Sequence, residues 1–445
     1  MFNAKAIRLV GSVLVLWSIA GCTVHPAGER EERSAATRAG EPFKRPIESR
    51  QLPELSANAT PEQMAQYAAL ANAELEQRYW EWRAAIEQIP QDGTQSTTFN
   101  VAAGTTLTRG QANLQSSTVA LANDPMTDIK WPGKLDAAAK QTLENARAAG
   151  RRFRKAQFEL RAKVLNAYYD YALNAELIRL EQKNQQLLRN VLSVTQSRSG
   201  VGSAGQQDVL KAANELDLSA NDIANMQSQL PAERAAINAI LSRPPQALIA
   251  IPEEMPTGGS FKLSDDSVLS LAARQNPELQ ALSDEIKGRE DGIRLAKLQY
   301  IPDFNLSVGT DLMGISQSIL GQATIPVFRY EALNAAIAQA QANLQAAEAM
   351  RRQTSNDLSA EIVLDITTVR DAERQLDLLS HSIRPRSQRA VVQTRTAYES
   401  GQATFLDLLD SERSLISIDR LIANLRVIRA KRLAEIESIT GGSVT

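Results

Sequence analysis

Asp303-Phe304-Asn305-Leu306-Ser307-Val308-Gly309-Thr310-Asp311-Leu312 alternates in polarity residue by residue. Phe304, Leu306, Val308, Thr310 and Leu312 fall on one side of an extended chain, and Asn305, Ser307, Gly309 and Asp311 on the other. About ten residues is the length of a tilted strand that crosses a bilayer. The pattern occurs a second time. Thr98-Phe99-Asn100-Val101-Ala102-Ala103-Gly104-Thr105-Thr106-Leu107 places Phe, Asn, Gly, Thr and Leu at the same positions without a gap. A return strand is predicted near Ser316–Thr324, after a short Met313-Gly314 turn, and within Ala112–Leu121 in the earlier copy.

Working outward, the two strands are the centres of a two-fold internal repeat. Ile89-Pro90 pairs with Ile301-Pro302, Trp131-Pro132 with Ile325-Pro326, and Gly202–Leu210 with Gly401–Leu409. The repeats occupy residues 61–247 and 264–445, joined by a linker over 248–263 with a Pro/Gly-rich stretch at Ile251–Ser260. Each begins with one helical segment, Pro61–Ile89 or Asp265–Tyr300, ahead of the strands. Beyond Pro132 and Pro326 the period becomes helical. Val164, Tyr168, Tyr171, Ala175 and Ile178, and likewise Val369, Ala372, Leu376, Leu379 and Ile383, step by three and four, as in a coiled-coil seam. The span from Pro326 to Gly401 is long enough for a helix of roughly 110 Å, locally kinked or broken at Pro385. Gly401 and the Gly200–Gly205 cluster end the two descending helices. Returning helices are predicted over Gln206–Leu241 and Phe405–Ile439, with Leu415, Ile418, Ile422 and Leu425 continuing the seam.

Composition supports long helices. Only 5% of the 445 residues are aromatic, and Ala, Gln, Leu, Glu and Arg are conspicuous. One cysteine excludes a disulfide framework, and Cys22 with His25 and His381 is no zinc ligand set. A formal charge of −2 gives no basic field for nucleic acid.

The first residues define a compartment. Lys5 and Arg8 precede an apolar run from Leu9 to Ala20, the form of a secretory signal peptide over residues 1–21. Ile19-Ala20-Gly21-Cys22 resembles the lipobox of bacterial lipoproteins, which implies cleavage before Cys22 and lipidation of that residue; the alternative is an ordinary signal peptide with a coincidental cysteine. Thr23 in place of Asp favours sorting to the outer membrane. The mature chain keeps 47 basic and 51 acidic side chains. Residues 22–60 read as a lipid-anchored extension, a Pro-, Arg-, Glu- and Ser-rich tether, extended or wrapped along the body, with solvated charges. No later run reaches the ~18 apolar residues of a spanning helix, so any crossing is made by strands.

Two strand pairs give four strands per chain. An open four-stranded sheet leaves two edges unsatisfied in lipid, where only closed barrels are viable, and small barrels need about eight strands. Several chains must pool their strands. The fold class is therefore mainly α with membrane β-barrel strands, in an oligomeric channel.

Phe-Asn-x-x-x-Gly, Ile325-Pro326-Val327-Phe328, Asn276-Pro277-Glu278-Leu279, and Tyr398-Glu399-Ser400-Gly401 leading into Asp407-Leu408-Leu409-Asp410 resemble the TolC-like outer-membrane efflux factors. The likeness spans roughly residues 60–443 and is most specific in the second repeat. It implies a homotrimer with a twelve-stranded outer-membrane β-barrel and a long periplasmic α-helical barrel. It also implies a passive duct of a tripartite efflux or type I export system in a Gram-negative envelope, working with a periplasmic adaptor (membrane fusion) protein and an inner-membrane efflux pump. No enzyme activity or cofactor is implied.

By family position, the turns at Gly202, Gly205 and Asp208, and at Gly401 and Ala403, are docking tips for the adaptor; the plain alternative is that the glycines only cap helices. Asp407 and Asp410, one helical turn apart, would face the lumen as two carboxylate rings, raising their pKa values and attracting cations. The alternative is a helix N-terminus favouring acidic residues. Tyr398 matches a tyrosine of the closing network at the mouth, whereas Ala403 stands where the family's bonding arginine would be. Trp131 is expected as an interfacial anchor, Trp80 and Trp82 as packed residues of the helical body, and His381 as an ordinary surface residue. The competing function is a lipid-anchored periplasmic coiled-coil scaffold without transport, for which the duplicated strands would have no use.

Overall fold

The computed structural model describes residues 23–95, 98–108, 111–123, 129–252, 255, 261, 263–311, 317–325 and 328–442. Cys22, the Met313-Gly314 turn and most of the Ile251–Ser260 linker lie outside the described residues. The elements run α1 (Glu29–Ala39), α2 (Pro61–Ala71), α3 (Ala73–Gly93), β1 (Phe99–Thr108), β2 (Gln111–Asn123), α4 (Pro132–Gly200), α5 (Gln206–Ile240), α6 (Asp265–Gln275), α7 (Pro277–Leu298), β3 (Asp303–Asp311), β4 (Gln317–Thr324), α8 (Tyr330–Leu378), α9 (Arg384–Glu399) and α10 (Phe405–Thr440).

The two hairpins join into one antiparallel sheet of order β1-β2-β3-β4. Phe99 pairs with Asn123, Leu121 with Val308, and Asp303 with Thr324, with a register shift between Thr105 and Leu107. Chain order is kept, so β1 and β4 are both edges. Exposed apolar side chains, such as Val101 at 71% and Ile319 at 74%, stand on these edge strands. That is the signature of strands that meet lipid or another chain.

Two compact units cut across the repeats. The first gathers the N-terminal residues to Glu41, Arg78–Phe153 and Glu278–Thr354; the second gathers Pro42–Gln77, Arg154–Pro277 and the chain from Ser355. Each unit therefore takes pieces of both halves of the sequence. In the first, Trp82 stacks on Phe153 at 5.6 Å and donates its indole N–H to Glu32 at 2.8 Å. Gly150 lies so close to that indole that a side chain there would collide with it. Trp82 is buried as expected, but Trp80 is 49% exposed and meets Tyr79 edge-on. In the second unit, Ala372, Leu379, Ile422 and Leu425 form a buried cluster with Leu376, Ile383 and Ile418, so the predicted seam is the packed face.

Four further expectations are corrected. The 22–60 extension is not a plain tether: α1 is an 11-residue helix with Glu29, Glu31 and Glu32 in its first turn, where they complement the dipole. Its inward face is Glu29, Arg33, Ala36 and Gly40, too small and polar to register as an apolar period. Nor are all its charges solvated. Glu29 is buried between His25 and Arg33, both 2.7–2.9 Å away, and Arg50 pairs with Glu76 at 2.6 Å. Each leading helical segment is two helices, broken at Asn72 and Asn276. The Ile-Pro anchors are not equivalent either, because Pro90 lies inside α3 while Pro302 follows the end of α7. Pro385 acts as expected but through a defined device. Residues Leu379–Ile383 form a π-helical turn, and the Arg384 N–H bonds the Leu379 carbonyl. The wider turn makes room for the ring and for the missing donor.

The asparagines at the two breaks are repeat counterparts. Asn72 and Asn276 each donate a side-chain N–H, at 2.8 Å, to the carbonyl of Ile240 and Ile439 respectively. The first and last helices of each repeat are clasped together in the same way.

Candidate gate at the helix turns

Both descending helices end in the same hydrogen-bonded turn. Gly202 and Gly401 adopt φ of 77° and 81°, a left-handed conformation that glycine enters without the Cβ penalty. Ser203 N–H bonds the Arg198 carbonyl at 2.8 Å, and Gln402 N–H bonds that of Ala397 at 2.7 Å. Gly202 and Gly401 bond Ser199 and Tyr398 three residues back, which completes the paired Schellman closure at each tip. The Gly200–Gly205 run thus needs glycine chiefly at 202. Gly205 is the extended N-cap residue of α5, with Asp208 in the first turn.

Beneath the tips, α4, α5, α9 and α10 pack Leu188, Val191, Ala212, Tyr398, Phe405, Leu408 and Leu409 into one apolar cluster. Ala403 lies against this cluster, facing inward. Its methyl occupies the place where a long basic side chain would have to leave the core.

Tyr398 is buried and is the centre of the arrangement. Its hydroxyl lies 2.9 Å from Thr195 Oγ1 on α4. Thr195 already donates to the Val191 carbonyl at 2.8 Å, so Tyr398 is the donor of the shared bond. The Arg198 guanidinium covers the Tyr398 ring at 4.5 Å and donates to the Tyr398 carbonyl. An arginine therefore does reach this tyrosine, from the first repeat rather than from position 403.

Charged ties surround the same helices. Arg395 on α9 pairs with buried Glu412 on α10 at 3.1 Å, and Arg384 with Asp419 at 2.5 Å. Arg420 and Arg413 of α10 pair with Glu181 on α4 and Glu215 on α5. Burial raises the Glu412 carboxyl above its ordinary range, with Arg395 opposing. Burial also pushes Glu181 up, but hydrogen bonds from Ser219, Asn184 and Arg420 outweigh it and leave the carboxyl low.

Asp407 is the third residue of a capping box on α10. Thr404 Oγ1 accepts from the Asp407 N–H at 3.2 Å, and Asp407 Oδ2 accepts from the Thr404 hydroxyl and N–H at 2.6 and 2.9 Å. Those bonds from Thr404 lower its pKa in the single chain. Asp410 is exposed one turn on. Trp131 is 44% exposed beside Phe304, and His381 is exposed in the π-turn against Asp377.

Sequence reasoning missed Thr195, Arg198, Glu181 and Glu412. The signal was present for the carboxylates: Glu181 lies three residues beyond Ile178 and Glu412 three before Leu415, charges where the seam calls for apolar residues. Arg198 stands in the last turn of α4, where cations suit the dipole.

A four-stranded meander feeding long paired helices, with each pair closed by a glycine turn, is the fold of the TolC-like outer-membrane channels. The solved structure of the outer membrane protein VceC from Vibrio cholerae overlays 86% of this chain and 97% of its own, with a TM-score of 0.74 at 18% identity. The model of the outer membrane efflux protein family matches residues 268–442 of this chain. The chain is 22% identical over 331 residues to the probable outer membrane lipoprotein SilC of Salmonella typhimurium, covering 71% of this chain and 70% of that one. It is 21% identical over 330 residues to the cation efflux system protein CusC of Escherichia coli (strain K12), covering 71% of each.

Proposed function

We propose that three copies of this chain form the outer-membrane duct of a tripartite efflux or type I export system. One observation carries the reading: a sheet with two open edges is continuous in sequence with helices such as the 69-residue α4, roughly 100 Å long. Three four-stranded sheets joined edge to edge close a twelve-stranded barrel, which removes every edge from the lipid. The helical hairpins then extend the tube into the periplasm, where an adaptor and an inner-membrane pump supply cargo and energy. The likeness to SilC, a probable outer membrane lipoprotein, and to CusC, a cation efflux system protein, supports the location and the role. Lipidated Cys22 tethers the chain to the same membrane.

The helix turns serve as the periplasmic mouth. Gly202, Gly205, Asp208, Gly401 and Ala403 shape the tips that meet the adaptor. Tyr398, held by Thr195 and Arg198, keeps the α9–α10 hairpin against α4 and the mouth shut. Asp407 and Asp410 line it; Asp407 is engaged by its own helix, so Asp410 is the freer to meet passing cations.

Purified full-length protein added to planar bilayers tests the reading. Discrete channels from heat-resistant trimers are expected. Trimers that insert and never conduct would instead favour a scaffold.

A further inference from the structure

A second surface forms where the strands pass into helices. The sheet register places Phe99, Asn123, Asp303 and Thr324 at one end, and Phe304 bonds Ile129 there through paired N–H and carbonyl groups. The start of the described chain is fastened to the same end. Val24 N–H bonds the Gly93 carbonyl at 2.9 Å, and the Thr23 and Thr94 hydroxyls lie 3.0 Å apart. The next residue, Gln95, holds Lys130 from both sides: it donates to the Lys130 carbonyl at 2.6 Å and accepts from the Lys130 N–H at 3.0 Å. Trp131 follows, its ring 6.3 Å from Phe304. At the foot of β4, Phe328 is fully exposed and Tyr330 is 63% exposed, with Arg329 between them. Tyr300, just past α7, donates to Asn334 near the start of α8 at 2.9 Å, which ties the chain entering β3 to the helix that follows β4.

Lys130 and Arg329 are exposed, and neither forms an ion pair with a described residue. The nearby Asp303 carboxylate is occupied by Lys134 at 2.8 Å, and Glu331 is exposed in the first turn of α8. A chain whose acidic side chains outnumber its basic ones thus presents cations that are unpaired among the described residues, between exposed aromatic rings. Aromatic rings with one apolar and one wet face settle at the headgroup level of a bilayer, and cations fixed at that level face lipid phosphates.

We propose that this end of the sheet binds the phosphates of anionic phospholipid in the periplasmic leaflet of the outer membrane. Lys130 and Arg329 contact the phosphate, while Trp131, Phe328 and Tyr330 seat the glycerol and upper acyl region. The proposal rests on the outer-membrane reading. The Thr23–Thr94 contact fastens the start of the described chain at the same level.

The test uses the full-length protein in vesicles of phosphatidylethanolamine with about one quarter phosphatidylglycerol, re-extracted in mild detergent, with retained lipid quantified by mass spectrometry. Wild type is expected to be enriched in phosphatidylglycerol over the vesicle composition. K130Q/R329Q should lose that enrichment by about fivefold for each cation removed, while K130R/R329K keeps it. If the double variant yields no heat-resistant trimer, K130Q and R329Q alone are each expected to lose part. Equal lipid retention by wild type and the glutamine variants, no enrichment in wild type, or preference for lipid A added to the vesicles would overturn the proposal. Bilayer conductance of the same preparations separates it from the channel reading: a conducting protein without enrichment defeats only the lipid site, and an enriched protein that never conducts defeats only the channel.

Discussion

Replacing Tyr398 by Phe removes one hydroxyl from the proposed latch at the helix turns, and the structure fixes the expected size of the effect. Thr195 donates to Val191 and accepts from Tyr398, so in Y398F the threonine keeps its own bond and no buried donor is orphaned. The loss is that of a neutral hydrogen bond, about 1 kcal/mol per protomer. T195V is the harsher change, because it strands the buried phenol donor at a cost of ~1–3 kcal/mol. R198A removes the cation above the ring, ~0.5–2 kcal/mol, while the Tyr398 carbonyl keeps the Gly401 N–H at 3.1 Å. R198A and Y398F share a residue and should not add. If three protomers open together, Y398F shifts the balance by roughly 3 kcal/mol, on the order of a hundredfold towards open. Single-channel recording in planar bilayers reads this as a rise in open probability, larger for T195V than for Y398F. Open probability within twofold of wild type in both variants, with trimers intact, would refute the latch; a greater effect of Y398F would refute the assigned donor.

Other outcomes follow from the same structure. N72A removes both the clasp to Ile240 and the cap that Asn72 Oδ1 gives the Leu75 N–H at 3.0 Å, and should cost about 2 kcal/mol, read as earlier trimer melting. An unchanged melting temperature would deny the clasp a role. Asp365 is buried beside Arg432, and burial raises its pKa from 3.8 to about 6, against the pull of Arg432. The folded chain binds this proton more tightly than the unfolded one, so the carboxylate penalises folding above pH 6, by at most ~3 kcal/mol. The penalty is relieved as the pH falls from about 6 towards 4. D365N should therefore shrink the gain in thermal stability between pH 7.5 and pH 5; an unaltered gain would show that Asp365 does not titrate in this window. C22S should abolish incorporation of labelled palmitate, and labelling that persists would locate the anchor elsewhere.

Much of this architecture can be read from residue order. Alternation at Asp303–Leu312 located β3, and the glycines at 202 and 401 marked the tips where the left-handed turns occur. Periodicity marked the returning helices to within a residue or two of Gln206–Ile240 and Phe405–Thr440. What escaped notice has a common cause. The helix breaks at Asn72 and Asn276 depend on carbonyls 168 and 163 residues away in sequence, so no local pattern announces them. α1 is recognised by fit: a side chain at Gly40 would overlap the Tyr79 phenol, and Ala36 and Glu29 offer no apolar stripe. At the candidate gate, Tyr398 stands in a recognisable motif, but its partners Thr195 and Arg198 belong to the other repeat and meet it only after folding.

In the proposed trimer, strands of separate copies close into one ring, β1 of each chain beside β4 of the next. Cys22 is the sole native cysteine, so a C22S background allows paired cysteines to be placed at will. Cysteine at Val101 is combined in turn with cysteine at each position from Ser318 to Gln322, and the membranes are oxidised before denaturing electrophoresis. The closed barrel predicts that registered pairs form dimer and trimer bands and nothing larger, since the third bond completes the ring. Absence of cross-links at every register, or a ladder that continues past the trimer, would contradict it.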